Sequence, residues 1–181
     1  MRRLGGGYLA GVIDADFDRF TAPLDYPMYV LTVPAAAPGG AQPGDGRPSG
    51  CLVGFATQCG IAPPRFLACL SKANHTYRCA AAVGVAAVHL LGAGDRDLAA
   101  LFGTETGDEV DKFERCEWFE GPERVPLLSR CPAWFVGRVE DRPDLGDHGG
   151  LLLAPVHVGP GIAGGALMFS EVAGMDAGHP A

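Results

Sequence analysis

The chain has 181 residues, of which 48% are hydrophobic, and 21 acidic against 14 basic residues give it a formal net charge of −7. Its length and hydrophobicity argue against a largely disordered chain, and its acidic balance argues against a protein that binds nucleic acid through a basic face. No apolar run approaches the roughly 20 residues that span a bilayer, and the start of the chain lacks the apolar segment of a signal peptide. We therefore expect one domain over residues 1–181, no membrane association and a location in the cytoplasm.

The first half of the chain predicts short strands joined by turns. Asp14–Phe20 can form a short helix, and a β-branched, apolar segment follows from Tyr29 to Val33, where Pro34 ends the pattern. The stretch from Ala35 to Ser49 is rich in Gly, Pro and Ala and predicts a hairpin loop. Two further apolar segments predict strands, and the pair Pro63-Pro64 precedes the second of them: Cys51–Ala56 and Arg65–Ser71.

The second half of the chain predicts two short helices among further strands. Asn74 is a suitable N-cap for a helix over 75–82, and Asp95 for a second helix that ends at Gly103. Leu98, Leu101 and Phe102 fall on one face of the second helix. A helical turn is predicted over 108–113, and strands over 85–91, 125–128, 133–140 and 151–158. This pattern favours a mainly β barrel with a few short helices, and a small, polar tail over 173–181 predicts a mobile end.

A segment that runs from Gly54 to Pro64 is the first candidate for ligand binding. It predicts a strand that leads into a loop with hydroxyl, amide and thiol side chains and glycines that let a flat ligand approach the backbone. Free N–H groups of such a loop can bond the carbonyls and ring nitrogens of a planar heterocycle. The same composition also fits an ordinary surface turn. The candidate binding residues are Phe55, Ala56, Thr57, Gln58 and Cys59.

A second candidate lies where the third predicted strand meets the first helix. Orphan N–H groups at a helix start favour an anion, and Lys72 adds a positive charge, so a phosphate group fits this position. Plain N-capping by Asn74, with Lys72 in solvent, explains the same residues. The candidate phosphate-binding residues are Ser71, Lys72, Asn74, His75 and Thr76.

The third candidate is the sequence Gly146-Asp147-His148, in which His148 can orient a nicotinamide or move a proton. A hydrophilic turn is the simpler explanation. His89 and His157 lie in apolar segments, where a histidine is more often a hydrogen-bonded core residue than a ligand. The histidines lack metal-binding spacing, and the six cysteines form no CxxC pair, so we expect free thiols and no metal site.

Several segments, in this order, together resemble the flavin reductase-like family of FMN-binding split β-barrels. The resemblance covers about residues 26–158 and is carried by VLTVPA, SGCLVGFATQCGIAPPRFLACLSKANHTY, VAAVHLL, RDLAALFG, DKFERCEW and GDH. It implies a split β-barrel of Greek-key type, a homodimer, and FMN as cofactor, with FAD as the alternative. In similar proteins the segment that matches Phe55–Cys59 holds the isoalloxazine, the one that matches Ser71–Thr76 holds the ribityl phosphate, and the matching histidine lies near the nicotinamide.

The resemblance implies an NAD(P)H-dependent flavin reductase that supplies reduced flavin to a separate monooxygenase. The chain departs from the family pattern at Gln58-Cys59, at His89, at Gly149-Gly150 and at Ala154-Pro155. The last two departures motivate an alternative, a flavin-binding or electron-transfer module without a nicotinamide site. A third hypothesis is an oxidoreductase that uses a deazaflavin-type cofactor in the same barrel.

Overall fold

A computed structural model of the protein describes residues 6–35, 47–161 and 164–178. The helices are α1 (Gly6–Thr21), α2 (His75–Ala80) and α3 (Arg96–Thr104), with short 3-10 turns at Lys112–Glu114, Pro122–Arg124 and Phe169–Glu171. The strands, in chain order, are β1 (Tyr29–Val33), β2 (Ser49–Val53), β3 (Ala56–Ile61), β4 (Pro64–Ser71), β5 (Val85–Leu90), β6 (Trp118–Glu120), β7 (Pro126–Leu128), β8 (Trp134–Asp141), β9 (Asp144–Leu145) and β10 (His148–Val158).

Eight of the strands form one antiparallel sheet with the order β2-β1-β5-β8-β10-β4-β3, in which β9 pairs with β10, while β6 and β7 form a separate hairpin. Register shifts in the β10–β8 and β3–β4 ladders mark irregularities of the kind that bend strands. The edge strand β2 contacts β4, which is one strand in from the opposite edge, so the sheet curls towards closure. This arrangement confirms the predicted mainly β class.

The core lies on both faces of the curled sheet because successive residues of a strand point to opposite sides. In β1, Leu31 and Val33 pack in one hydrophobic cluster, while Val30, which precedes Leu31 and points to the other face, packs in another. The second cluster lies under α3, whose residues Leu98 and Phe102 are buried there, as the apolar stripe predicted. Burial on both faces explains why β1 and β5 read as continuous apolar runs.

The predicted strands are present with end points shifted by at most three residues, and β1 has the predicted bounds, but the structure differs around Gly54. There the structure breaks the predicted strand Cys51–Ala56 after Val53 and begins a new strand, β3, where a loop was predicted. The loop prediction is wrong because β3 is an edge strand with mostly exposed side chains, so it lacks an apolar pattern. A Cβ at Gly54 would lie 2.7 Å from Tyr26 Cε2, which explains the need for glycine at the bend.

Both ends of the chain differ in extent from the predictions. Helix α1 begins at Gly6 and is therefore longer than predicted. The predicted hairpin loop falls mostly on residues 36–46, which lie outside the described residues, as do 179–181 of the predicted mobile tail. The tail residue Gly178 donates a backbone hydrogen bond to the Gly103 carbonyl, at 3.0 Å, and the mobility of this segment stays a prediction.

Candidate functional site

The ends of three strands bring the first, second and third candidate segments together. Cys69 N donates to the Phe55 carbonyl at 2.8 Å, and in the ladder between β10 and β4 His148 lies opposite Ser71. Phe55, Ser71, Asn74 and His148 line one cavity of about 180 Å³, which we call the ring cavity. Residues that the sequence placed in three separate candidates therefore surround one recess.

Aromatic rings form one wall of the ring cavity. The centroid of the Phe55 ring lies 5.5 Å from that of His148 and 6.0 Å from that of Tyr26. Tyr26 in turn stacks on Phe169 with centroids 4.8 Å apart, which ties the C-terminal segment to the cavity. Phe55 is 57% exposed although it is large and apolar. An exposed ring among other rings offers a flat surface on which a planar ligand can stack.

His148 is held in a defined orientation by its neighbour in sequence. Its Nδ1 lies 2.9 Å from Asp147 Oδ1, and the imidazole hydrogen bond holds the pKa of the Asp147 carboxyl below its usual range. Because the carboxylate accepts, Nδ1 carries the proton and Nε2 remains as the second donor or acceptor site. The side chain is 25% exposed, so a ligand in the ring cavity can reach it.

Strand β3 borders a second and larger recess, which we call the apolar groove. Ala56, Thr57 and Gln58 line it, and its volume of about 640 Å³ is within the range of cofactor sites. Tyr26 lines both the groove and the ring cavity, so the two recesses adjoin. Among the described residues β3 is the last strand in the sheet order, so one row of its backbone N–H and C=O groups has no neighbouring strand there. Such an edge can form hydrogen bonds with a heterocycle. The strand edge therefore takes the binding role that was predicted for a loop.

Two side chains of β3 form hydrogen bonds with backbone carbonyls of the same strand. Gln58 Nε2 donates to the Gly60 carbonyl at 2.9 Å, and the hydroxyl of Thr57 donates to the Gln58 carbonyl at 3.3 Å. Cys59 is exposed, and all six cysteines are free thiols, as predicted. Because the Thr57 and Gln58 side chains are engaged in these local bonds, the backbone of β3 is the part of the strand that can best bind a ligand ring.

The predicted phosphate-binding segment has a well-formed cap and a paired cation. Asn74 Oδ1 accepts from Thr76 N at 2.8 Å, which confirms Asn74 as the N-cap of α2. Ser71 Oγ accepts from Ala73 N at 3.3 Å. Lys72 Nζ donates to Asp144 Oδ1 at 2.7 Å, and this bond raises the pKa of Lys72 and lowers that of Asp144. Lys72 is therefore paired with an acidic residue, and it does not itself line the ring cavity, although its neighbour Ser71 does.

Two of the predicted site residues turn away from the ring cavity. The His75 ring lies against Asp108, with Nδ1 2.8 Å from Oδ1, and lines a different recess. Thr76 is buried, and its hydroxyl shares a hydrogen bond of 2.9 Å with Ser49. In a helix, successive side chains point about 100° apart, so only the residues before α2 face the cavity.

The structure adds residues that the sequence analysis did not select. Tyr26 and Phe169 line the ring cavity from segments far apart in the chain, and Asp144 is paired with Lys72. Tyr26-Pro27 stood just before the first predicted strand, but a single aromatic residue there carried no signal for a site. Across the described ranges, no group of three His, Cys, Asp or Glu residues could hold a metal, and no helix has the length and hydropathy needed to cross a membrane.

Comparison with known proteins links this arrangement to one family. A family model described as "Flavin reductase like domain" matches residues 23–171. The chain is 29% identical over 128 residues to the FMN reductase (NADH) RutF of Methylorubrum extorquens, a match that covers 71% of this chain and 62% of the relative. It is 26% identical over 123 residues to the stachydrine N-demethylase reductase subunit Stc3 of Rhizobium meliloti, covering 68% of this chain and 50% of the relative. The chain therefore spans less than two thirds of these curated relatives.

A solved structure gives the same result for the fold. The flavin reductase domain protein of Arthrobacter sp. FB24 superposes with a TM-score of 0.74 at 20% identity, covering 93% of this chain and 96% of that one. Similarity at this level of identity concerns the backbone, and it confirms the predicted split β-barrel.

Proposed function

Because the chain belongs to the flavin reductase-like family, we propose that it binds FMN, with FAD as the alternative, and transfers hydride from NADH or NADPH to the flavin. The observation that carries the proposal is the convergence of Phe55, Ser71 and His148 around one cavity that adjoins the open edge of β3. This arrangement offers a ring-stacking surface and backbone hydrogen-bonding groups for the flavin ring, and Lys72, next to Ser71 in the chain, is the cation that we assign to the phosphate.

The chemistry belongs to the bound flavin, whose ring accepts hydride from a reduced nicotinamide, and the protein supplies binding and orientation. We assign the edge of β3, from Ala56 to Cys59, to hydrogen bonds with the polar edge of the ring. Ser71, Lys72 and Asn74 would hold the phosphate. His148 would orient the nicotinamide through Nε2, because Nδ1 is bonded to Asp147. Phe55 and Tyr26 would exclude water from one side of the cavity.

The contacts of His75 and Thr76 revise their parts in this proposal. Their side chains are engaged with Asp108 and Ser49, so we assign them to holding the start of α2 rather than to direct contact with phosphate. Thr76 joins the start of α2 to β2 by its buried hydrogen bond to Ser49. Loss of either contact would act on the phosphate site only through the backbone.

The alternative, a flavin-binding or electron-transfer module, was motivated by Gly149-Gly150 and Ala154-Pro155. In the structure a Cβ at Gly149 would lie 2.3 Å from Tyr77 Cε2, and one at Gly150 would lie 2.7 Å from Pro143 Cγ. Pro155 stands at a register shift in the β10–β8 ladder, where a proline is tolerated. Local packing therefore accounts for both departures without loss of a nicotinamide site, which favours the reductase.

We also propose that the protein works in the cytoplasm as a homodimer and delivers reduced flavin to a separate monooxygenase. The apolar groove, with Ile61 at 86% and Val158 at 74% exposure near its rim, supports a subunit interface on this face. One relative bears the name of a reductase subunit of an N-demethylase, which supports a partner oxygenase. Sedimentation of the purified protein would test the dimer.

The test of the proposed reaction follows the absorbance of NADH and NADPH in the presence of protein and of FMN or FAD. The reductase predicts flavin-dependent oxidation of at least one nucleotide well above the rate with free flavin. A yellow protein that oxidises neither nucleotide would support the electron-transfer module instead. Mass spectrometry of the ligand that co-purifies would separate a flavin from a deazaflavin.

A further inference from the structure

The lysine that the proposed function assigns to the flavin phosphate, Lys72, forms an ion pair with Asp144. We propose that Asp144 competes with the flavin phosphate for the Lys72 ammonium and so limits the selectivity of this protein for phosphorylated flavins. The inference rests on the proposed function. It gives Asp144, which no motif selected, a role in determining specificity.

The position of Asp144 is fixed by the hairpin that also carries His148. Asp144 lies in β9, which pairs with the start of β10, and its Oδ1 accepts from Gly146 N at 3.0 Å as well as from Lys72 Nζ at 2.7 Å. The hairpin is joined to the end of β4 by a bond from Lys72 N to the Asp147 carbonyl, at 2.9 Å. These contacts therefore hold the Asp144 carboxylate beside the Lys72 ammonium.

The pair is exposed enough for a phosphate to displace it. The Lys72 side chain is 35% exposed and that of Asp144 78%, and exposed ion pairs of this kind are weak. A phosphate monoester carries a charge of about −1.5 to −2 near neutral pH and attracts the ammonium more strongly than one carboxylate does. FMN can thus take Lys72 from Asp144, but it binds less tightly than it would beside an unpaired lysine. Weaker binding of the phosphate is consistent with a flavin that leaves this protein for a partner monooxygenase.

The inference is tested with Asp144→Asn, which removes the negative charge while its amide oxygen can still accept from Gly146 and Lys72. Affinity for FMN and for riboflavin is measured by fluorescence titration of the whole protein. We expect FMN to bind about two- to fivefold more tightly, the range set by exposed ion pairs, and riboflavin to bind as before. The gain should shrink in about 1 M salt, where a Debye length of about 3 Å weakens interactions between exposed charges.

Two further variants define the cause. Asp14→Asn removes an equal charge from an exposed position of α1 and should leave both affinities unchanged. In a Lys72→Met background, Asp144→Asn should no longer favour FMN, since no ammonium remains for which to compete. Equal changes for FMN and riboflavin, or the same gain without Lys72, would overturn the inference alone. If the unaltered protein bound no flavin, the proposed function would fail first and the inference with it.

Discussion

The buried imidazole of His89 makes the stability of this fold depend on pH. His89 is fully buried in β5, where Nδ1 lies 3.1 Å from the Val30 carbonyl and Leu128 N lies 3.2 Å from Nε2. Since the Leu128 N–H must donate to Nε2, the ring is neutral with its proton on Nδ1. Protonation of Nε2 would place its N–H against the Leu128 N–H, and neither group could accept a hydrogen bond from the other. The prediction of a hydrogen-bonded core residue is confirmed for His89 and is wrong for His157, which lies exposed near the end of β10.

Burial lowers the pKa of His89 from 6.5 to about 4. Between those values the unfolded chain binds a proton that the folded chain does not, so stability is full above about pH 6.5 and falls as the pH is lowered towards 4. Each pH unit by which the pH is lowered in this window reduces the free energy of unfolding by about 1.4 kcal/mol. The group therefore removes about 3 kcal/mol of unfolding free energy between pH 6.5 and 4, a large part of the stability of a typical domain.

Urea denaturation of His89→Asn and of the unaltered protein at several pH values measures this loss. The variant should be less stable at pH 7 by about 1–3 kcal/mol, because a buried backbone group loses its partner, but its stability should fall less steeply below pH 6.5. His157→Asn, at an exposed position of β10, is the matched control and should keep the original slope. Parallel slopes for His89→Asn and the unaltered protein would show that His89 does not cause the loss of stability at low pH.

Three further predictions concern the site. Lys72→Ala should weaken FMN about two- to tenfold and spare riboflavin, because it removes a phosphate partner, as measured by fluorescence titration. His148→Ala should slow hydride transfer in stopped-flow experiments about ten- to a hundredfold at unchanged flavin affinity, because the nicotinamide loses its orienting group. Thr76→Val should lower the unfolding free energy by about 1–3 kcal/mol in urea, because the Ser49 hydroxyl loses its partner in the core.

Each of these outcomes has a result that would contradict it. Equal weakening of FMN and riboflavin would contradict the role of Lys72, and an unchanged rate would leave His148 as a turn residue only. Thr76→Ser serves as the control for Thr76→Val because it keeps the hydroxyl. If the two variants lost equal stability, the buried hydrogen bond between residues 49 and 76 would not be the cause.

Much of the sheet could be predicted from the sequence because its inner strands are buried on both faces. Tyr29–Val33 and Val85–Leu90 read as apolar runs for that reason. The edge strand Ala56–Ile61 could not be predicted, since its side chains are mostly exposed and its partner strand lies on one side only. A polar edge strand and a polar loop have the same composition, and only pairing with β4 distinguishes them.

The site was predicted only in part, because local sequence patterns do not encode contacts between residues far apart in the chain. Phe55, Ser71, Asn74 and His148 were all selected, each as a local pattern, and the ladder between β4 and β10 brings them to one cavity. The pairing of Lys72 with Asp144 joins residues far apart in the chain, and no local pattern encodes such a contact.

A crystal structure of the protein with FMN would show whether the three candidate segments hold one flavin. We expect the flavin ring against residues 55–59, within van der Waals distance of the Phe55 ring, and the phosphate within hydrogen-bond distance of Lys72 Nζ. A flavin bound in the recess beside Asp108, or with its phosphate remote from the end of β4, would contradict this expectation.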